Sequence, residues 1–341
     1  MEGMKKRALI TGVTGQDGSY LAELLLDKGY DVYGLVRRTS AGPSELLERL
    51  HRERGLTFIH GDLHDSESLK RAVSIARPDE LYNLASQSHV GVSFELPDDA
   101  WEINYLGAGR VITEALAANT SLRVYQASSS EMFGTAPAPQ NELSPFLPVS
   151  PYGEAKLRAH RDFVVENRDK NGAYVCSGIL FNHESPRRGK HFVTRKITVS
   201  LAKIKLGLQD RLELGNLATR RDWGYAKEYV VAMHSMLQQS TAEDFVIATG
   251  IQHAVRDFVD AAAAVLEIPL TWEGEGMDEV GRDAQGKVVV SVNSKFFRPK
   301  ELGGLVGDAT KAKKILGWRP HVSFAELVRL MTRADFDALS R

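Results

Sequence analysis

Arg7-Ala-Leu-Ile-Thr11-Gly12-Val-Thr-Gly15-Gln16-Asp17-Gly18-Ser-Tyr20-Leu-Ala-Glu-Leu-Leu-Leu-Asp-Lys28-Gly29-Tyr-Asp31-Val-Tyr-Gly-Leu-Val36-Arg37-Arg38 decides the fold. A short apolar run, Arg7 to Thr11, leads into three glycines, and beyond them Leu21, Leu24 and Leu25 recur at helical spacing until Gly29 stops the helix. Asp31 to Val36 is a second apolar run, so the unit is strand, glycine turn, helix, strand: a βαβ, right-handed by default. The three glycines serve different ends. Gly12 makes a tight turn, Gly15 lets the backbone approach a pyrophosphate, and Gly18 packs helix on strand. Gln16 and Asp17 stand between them at the helix N-terminus, where phosphates are held.

A carboxylate at the end of the second strand would accept from a ribose 2′-hydroxyl, but Arg37 and Arg38 occupy that place. Their planar forks suit a 2′-phosphate, so the expected dinucleotide is NADP over NAD, with Arg37 the stronger candidate. Asp62 and Leu63, after a third strand at Thr57 to His60, are placed to meet the adenine. Leu84, Ala85, Ser86 and Ser88, after a fourth at Glu80 to Leu84, are placed to line the middle of the cofactor.

The alternation continues. Further strands are expected at Val124 to Ala127, Tyr174 to Leu180 and Phe245 to Ala248. Helices are expected near Ser66 to Ile75, Asn104 to Ala117 and Tyr152 to Asn167. The fold class is therefore α/β, a Rossmann-type doubly wound parallel sheet with a smaller α/β C-terminal substrate lobe. Residues 1–182 are expected to form the NADP-binding domain, with 225–267 returning to it, and 183–224 with 268–341 the substrate lobe. A capping box, Ser323 with Glu326, signs the start of the last helix.

Composition narrows the partners. The chain has 341 residues, 43% hydrophobic and 26% charged, with a formal net charge of -1, so no global field recruits nucleic acid or an anionic membrane. The apolar run after Lys5 and Lys6 is too short for a signal peptide, and no stretch approaches a membrane span. The one cysteine, Cys176, lies in an apolar strand and reads as a buried structural thiol, which suits a reducing cytoplasm. The histidines lack metal-ligand spacing, so no metal is expected. Arg187, Arg188, Lys190, Arg195 and Lys196 form a basic cluster in a chain that is otherwise near neutral. A cofactor phosphate and a nucleotide diphosphate are its better partners than nucleic acid.

The chemistry is expected between Ser128 and Lys156. Tyr152 and Lys156 are four residues apart, one helical turn, so the ammonium is expected to favour the phenolate by direct electrostatics. Ser129 and Glu131 follow a buried strand, where an open α/β sheet presents its reactive groups.

Gly12-x-x-Gly15-x-x-Gly18, Asn83-Leu-Ala85, Ser129-Ser-Glu131 and Tyr152-x-x-x-Lys156 together resemble the extended short-chain dehydrogenases that modify nucleotide sugars. More narrowly, Gln87-Ser-His-Val-Gly-Val-Ser-Phe94, Gly178 to Gly189, Phe192-Val-Thr-Arg-Lys-Ile197, Arg221-Asp-Trp-Gly224 and Phe297-Arg-Pro-Lys-Glu301 look like the GDP-mannose 4,6-dehydratases. The resemblance implies a lyase in which Tyr152 takes the C4 hydroxyl proton of the sugar and Lys156 holds the nicotinamide ribose. Glu131 then removes the C5 proton, water leaves from C6, and the cofactor is regenerated. It also implies that His183 and Arg188 face the cofactor, and that Asn182, Lys196, Arg221, Arg298 and Glu301 face the GDP part of the substrate. A homo-oligomer, dimer or tetramer, in the cytoplasm is implied as well. Ser129 stands where the family commonly has Thr, and the hydroxyl survives. Three alternatives stay open: a dehydratase of a related GDP-sugar such as GDP-manno-heptose, a nucleotide-sugar epimerase or 4-keto reductase, and a silent NADP-sensing scaffold. A simple reductase needs no base at C5, so Glu131 tells against the second. The Tyr152–Lys156 pair tells against the third.

Overall fold

In the computed structural model, which describes residues 5–38, 44–296 and 304–341, seven parallel strands form the central sheet. Their spatial order is Phe245–Ile247, Val175–Leu180, Arg123–Ser129, Glu80–Asn83, Arg7–Thr11, Asp31–Val36 and Thr57–His60. All seven arise from the apolar runs identified above. Because strand side chains alternate between faces, each run feeds two cores. Ala8, Ile10, Tyr82, Tyr125 and Cys176 pack with the helices Gln16–Asp27 and Ala226–Met236. Leu9, Leu81, Val124 and Val175 pack with Ser66–Ala76 and Ala108–Ala118 on the other face. Cys176 is fully buried in the first of these cores, and burial pushes its thiol well up, away from the reactive thiolate.

A second core lies beyond the carboxyl edge of the sheet. Ile197 and Leu201 of the helix Val193–Lys205, Leu212, Leu214, Val289 and Val290 meet Leu327, Val328 and Met331 of the last helix, Phe324–Leu339. Two short sheets accompany it. One joins Asn182–Glu184, Arg220–Tyr225 and Gln252–Ala254, and the other joins Leu212–Leu214, Val288–Val292, Val280–Arg282 and Thr271–Glu273.

Several boundaries differ from those expected. Within 225–267, assigned above to the sheet domain, the helix 226–236 and the strand 245–247 lie with the sheet. The helix Val255–Val265 instead buries Phe258, Val259 and Ala262 in the second core. Conversely, Ala312 and Trp318, from a segment assigned to the substrate lobe, pack on the first core. An apolar helical stripe specifies burial but not which of two cores receives it. The expected helix from Tyr152 is α-helical over Pro151–Ala159, opens into a π-turn at His160–Val165 and resumes at Glu166–Asn171. A matching π-turn, Glu102–Gly107, precedes Ala108–Ala118. The expected capping box is half formed: Ser323 accepts from the Glu326 N–H at 3.2 Å, while the Glu326 carboxylate pairs with Arg329. Among the described residues no helix is long and apolar enough to cross a membrane.

Asp222 pins the two regions together. It is wholly buried and accepts from Thr249 N at 2.9 Å, Thr249 Oγ1 at 2.6 Å, Gly250 N at 2.8 Å and Gly307 N at 3.3 Å. Replacing Asp222 by alanine strands three backbone donors, that of Gly307 buried and those of Thr249 and Gly250 partly so, and should lower the unfolding free energy by about 2–4 kcal/mol. Asp222→Asn, which keeps an acceptor oxygen, should lose less. Urea denaturation followed by circular dichroism checks both, and equal stability of all three chains would remove Asp222 from this role.

Candidate active site

The glycine turn is shaped by one close approach. Gly12 has φ +69°, and a Cβ there would lie 2.7 Å from the Ala85 nitrogen, so only glycine lets the turn rest against the loop after the fourth strand. Gly15 donates to the Gly12 carbonyl at 3.0 Å, and the helix Gln16–Asp27 then starts without any side-chain cap. Its first N–H groups are left for an anion, as a dinucleotide pyrophosphate requires.

One continuous cavity of about 1550 Å³ begins at this turn. Gly12, Gly15, Gln16, Asp17 and Gly18 line it, with Arg37, Asp62 and Leu63 and with Leu84, Ala85, Ser86 and Ser88. So do Ser129, Glu131, Tyr152 and Lys156, and so do Asn182, His183, Arg188, Lys196 and Arg221. Arg298 and Glu301 lie outside the described residues. The described residues expected at the cofactor and at the substrate thus line one and the same cavity.

Tyr152 and Lys156 are brought in by the helix Pro151–Ala159. Ser150 caps it by accepting from the Gly153 N–H at 3.1 Å, Pro151 opens it, and the Tyr152 N–H donates to Ser93 Oγ at 3.2 Å. Gly153 permits the helix to settle on the turn that bears Glu131, since a Cβ there would lie 2.7 Å from the Glu131 carbonyl oxygen. The Tyr152 hydroxyl shares hydrogen bonds with the Ser129 and Ser86 hydroxyls. Ser86 donates its own proton to Asn104 Oδ1 at 2.6 Å and so is left to accept from Tyr152. Ser129 Oγ accepts from the Glu131 N–H at 3.2 Å and can direct its proton at the tyrosine oxygen.

The electrostatics differ from the expected direct pull of lysine on tyrosine. Burial pushes Tyr152 up to about 12, against the hydrogen bond that Ser129 can donate to its phenolate. Burial also brings Lys156 down to about 8; its Nζ donates to the Ala127 carbonyl at 3.0 Å and stands 5.8 Å from the Tyr152 ring centre. Desolvation is thus the largest influence on both groups.

His183 is occupied by the glycine turn. Its Nδ1 faces the Phe181 carbonyl and its Nε2 faces Asp17 Oδ2, both at 2.7 Å, so each ring nitrogen meets an acceptor and the imidazolium is favoured. Burial opposes that charge, but Asp17 outweighs it and raises the histidine; Asp17 is lowered in turn, its own burial overcome chiefly by His183. Gln16 Nε2 donates to the His183 carbonyl at 3.0 Å and Ser185 Oγ to Gln16 Oε1 at 2.7 Å, completing a strap between the turn and the segment 183–185.

The basic cluster divides. Arg187 grips Glu23 with two bonds of 2.8 and 2.9 Å and covers the Tyr20 ring, while Arg195 is fixed on Asp335. Arg188, Lys190 and Lys196 remain on the cavity wall, Arg188 over Phe192 and Lys196 over Phe296. His89, His191 and Phe192 form an aromatic bridge at the cavity, with His89 to His191 ring centres 5.4 Å apart and His89 to Phe192 5.6 Å apart. Asn104 and this bridge were not expected from sequence. A polar residue beside an apolar helical stripe was the only available sign of Asn104.

Residues 9–331 match the family model described as GDP-mannose 4,6 dehydratase. The chain is similar to GDP-mannose 4,6 dehydratase 2 of Caenorhabditis elegans, 49% identical over 97% of this chain and 89% of that protein. It is 48% identical to the GDP-mannose 4,6 dehydratase of Homo sapiens over 97% of this chain and 92% of that one. Among solved structures, the dTDP-glucose 4,6-dehydratase DesIV from Streptomyces venezuelae, with NAD and TYD bound, has a similar fold. Its TM-score is 0.81 over 98% of both chains at 23% identity.

The Lys156 ammonium is a stability cost. Its value in the folded chain lies below the ordinary 10.5, so the penalty is full below about pH 8 and is relieved as pH rises from there toward 10.5. Lys156→Met should therefore raise unfolding free energy at pH 7 by about 1–3 kcal/mol. The gain should shrink above pH ~8. Denaturant melts at several pH values check this, and a destabilised variant at pH 7 would contradict it.

Proposed function

This chain belongs to the GDP-mannose 4,6-dehydratase family, and we propose that it converts GDP-mannose to GDP-4-keto-6-deoxymannose with NADP as its resident cofactor. The convergence of Tyr152, Lys156, Ser129 and Glu131 on a cavity that also contains the glycine turn carries the reading. A nicotinamide cofactor fits the chain: the Gly12 cradle would be filled by a Cβ, and the uncapped helix start offers donors to its pyrophosphate. Held by Gly12, Gly15 and the start of the helix Gln16–Asp27, such a cofactor would supply the hydride acceptor for C4 of the sugar and the hydride donor for C6.

The chain's own groups supply the proton chemistry. Tyr152 takes the proton of the C4 hydroxyl. The Ser129 hydroxyl is its partner for the C4 oxygen, and Ser86 and Asn104 hold the ring in place. Lys156 provides the positive charge at the nicotinamide ribose. Glu131, on the turn directly under the Tyr152 helix, removes the C5 proton that the 4-keto group has acidified and passes it to the C6 hydroxyl, which leaves as water, while the proton that Tyr152 took from the C4 hydroxyl balances the one that C5 regains when C6 is reduced. Asn182, Lys196, Arg221, Arg298 and Glu301 are assigned to the GDP moiety, Arg188 to the cofactor and His183 to holding the glycine turn. Arg37 is assigned to the 2′-phosphate that separates NADP from NAD. The sole cysteine, buried and unpaired, suits a cytoplasmic enzyme, and the assembly is taken to be a homo-oligomer.

Incubation with GDP-mannose and NADP, without added NADPH, should yield a 4-keto-6-deoxy product by mass spectrometry, whereas its absence would exclude the dehydratase. Glu131→Gln should cut turnover by about 10²–10⁴-fold and stall after C4 oxidation, seen as absorbance of reduced cofactor. Full turnover in that variant would take Glu131 out of the mechanism. Arg37→Ala should weaken NADP binding by about tenfold or more while NAD binding is unchanged. Equal loss for both cofactors would reassign the arginine.

A further inference from the structure

The carboxyl ends of three central strands share a run of side-chain hydrogen bonds. The N–H groups of Leu84 and Ala85 each donate to Thr11 Oγ1 at 3.1 Å, and Thr11 donates to Asn83 Oδ1 at 2.6 Å. Asn83 Nδ2 donates to Gln126 Oε1 at 2.7 Å, and Gln126 Nε2 donates to the Ala127 carbonyl at 3.0 Å. That carbonyl is the one that holds Lys156 Nζ, also at 3.0 Å.

Donor and acceptor roles along this run are determined. Two backbone donors occupy the Thr11 oxygen, so its single proton goes to Asn83. The carbonyl end of Asn83 is then used, and its NH₂ must face Gln126. Gln126 therefore presents its own NH₂ to Ala127. Thr11, Asn83 and Gln126 are at most 1% exposed, so water does not compete. The orientation of the Gln126 amide is thus set from Thr11, two strands away, whose oxygen is held by the loop on which Gly12 rests.

The sheet itself does not require the amide. The backbone of Arg123–Ser129 is paired with strands on both sides, and burying a neutral amide is costly unless every bond is made. Its effect falls on the Ala127 carbonyl. With one lone pair held by Gln126 and the other by Lys156, the peptide that leads to Ser129 and Glu131 cannot turn without breaking both bonds. We propose that Gln126 is a positioning residue that fixes the Ala127 carbonyl and thereby aims Lys156 and the strand end bearing Ser129 and Glu131. The inference rests on the role given to Lys156 above.

Gln126→Met, of similar shape, removes the amide, and Gln126→Glu keeps an acceptor for Asn83 while losing the donor to Ala127. Either should lower kcat per active site by about tenfold or more. KM for GDP-mannose and the NADP dissociation constant should stay within about twofold, which damage confined to folding would not produce. Active sites are counted by NADP titration, and Gln126→Glu decides the matter if Gln126→Met does not fold. A kcat within twofold of wild type, or a loss matched by weaker NADP binding, overturns the proposal. Wild type and Lys156→Met are run alongside. If wild type makes no product, or Lys156→Met keeps full turnover, the dehydratase reading or its lysine falls and takes this inference with it. If both behave as expected and only the Gln126 variants are unimpaired, the positioning role alone is lost.

Discussion

The helix that carries Tyr152 and Lys156 rests on the carbonyl of Glu131, and the absence of a side chain at Gly153 makes that contact possible. Much of the site's order depends on it. The turn after the strand Arg123–Ser129 cannot shift without moving the helix, so Ser129, Glu131, Tyr152 and Lys156 behave as one block. The Ser150 cap fixes where the helix begins, and Ser93 fixes its height. A tyrosine hydroxyl placed among Ser129, Ser86 and a nearby carboxylate is then a matter of backbone packing, with little left to side-chain rotation.

Charge is handled by burial as much as by pairing. Arg187 with Glu23 and Arg195 with Asp335 are partly or largely buried clamps that join segments distant in sequence. The His183–Asp17 pair ties the glycine turn to the strand Asn182–Glu184, which pairs with Arg220–Tyr225 and hence with Arg221. The two ends of the cavity therefore share a rigid connection. Lys156 is the exception, an ammonium with one carbonyl partner at the centre of the site. A group that must meet a ligand cannot also be fully satisfied by the chain.

The sheet was legible because parallel strands buried on both faces read as short apolar runs, and the glycine turn was legible because its spacing has few other uses. The cavity residues were legible from their places at strand ends, as with Asp62, Ser86 and Ser129. Other features depend on partners that a linear sequence does not display. Arg187 and Arg195 look like phosphate ligands until Glu23 and Asp335 are seen beside them. The helix 255–265 has a clear apolar stripe, but two cores could accept it. The direction of the Tyr152 shift comes from burial depth, which Tyr-x-x-x-Lys spacing does not encode. Gln126 was visible as a polar residue inside an apolar strand, although its partners Asn83 and Ala127 O were not.

The two π-turns face each other. Tyr105, in the first, donates to Asp162 Oδ2 in the second at 2.9 Å, its ring lies 5.4 Å from that of Phe163, and Gly109 leaves space for Phe163. A π-turn is an α-helix with one residue too many, and each surplus residue rotates the rest of its helix by about 100°. Here the two offsets interlock, one just past the catalytic helix and the other around Asn104. The two surplus residues are thus mechanically one unit, and a helix pair that kept only one of them would mismatch the helices on which the tyrosine depends.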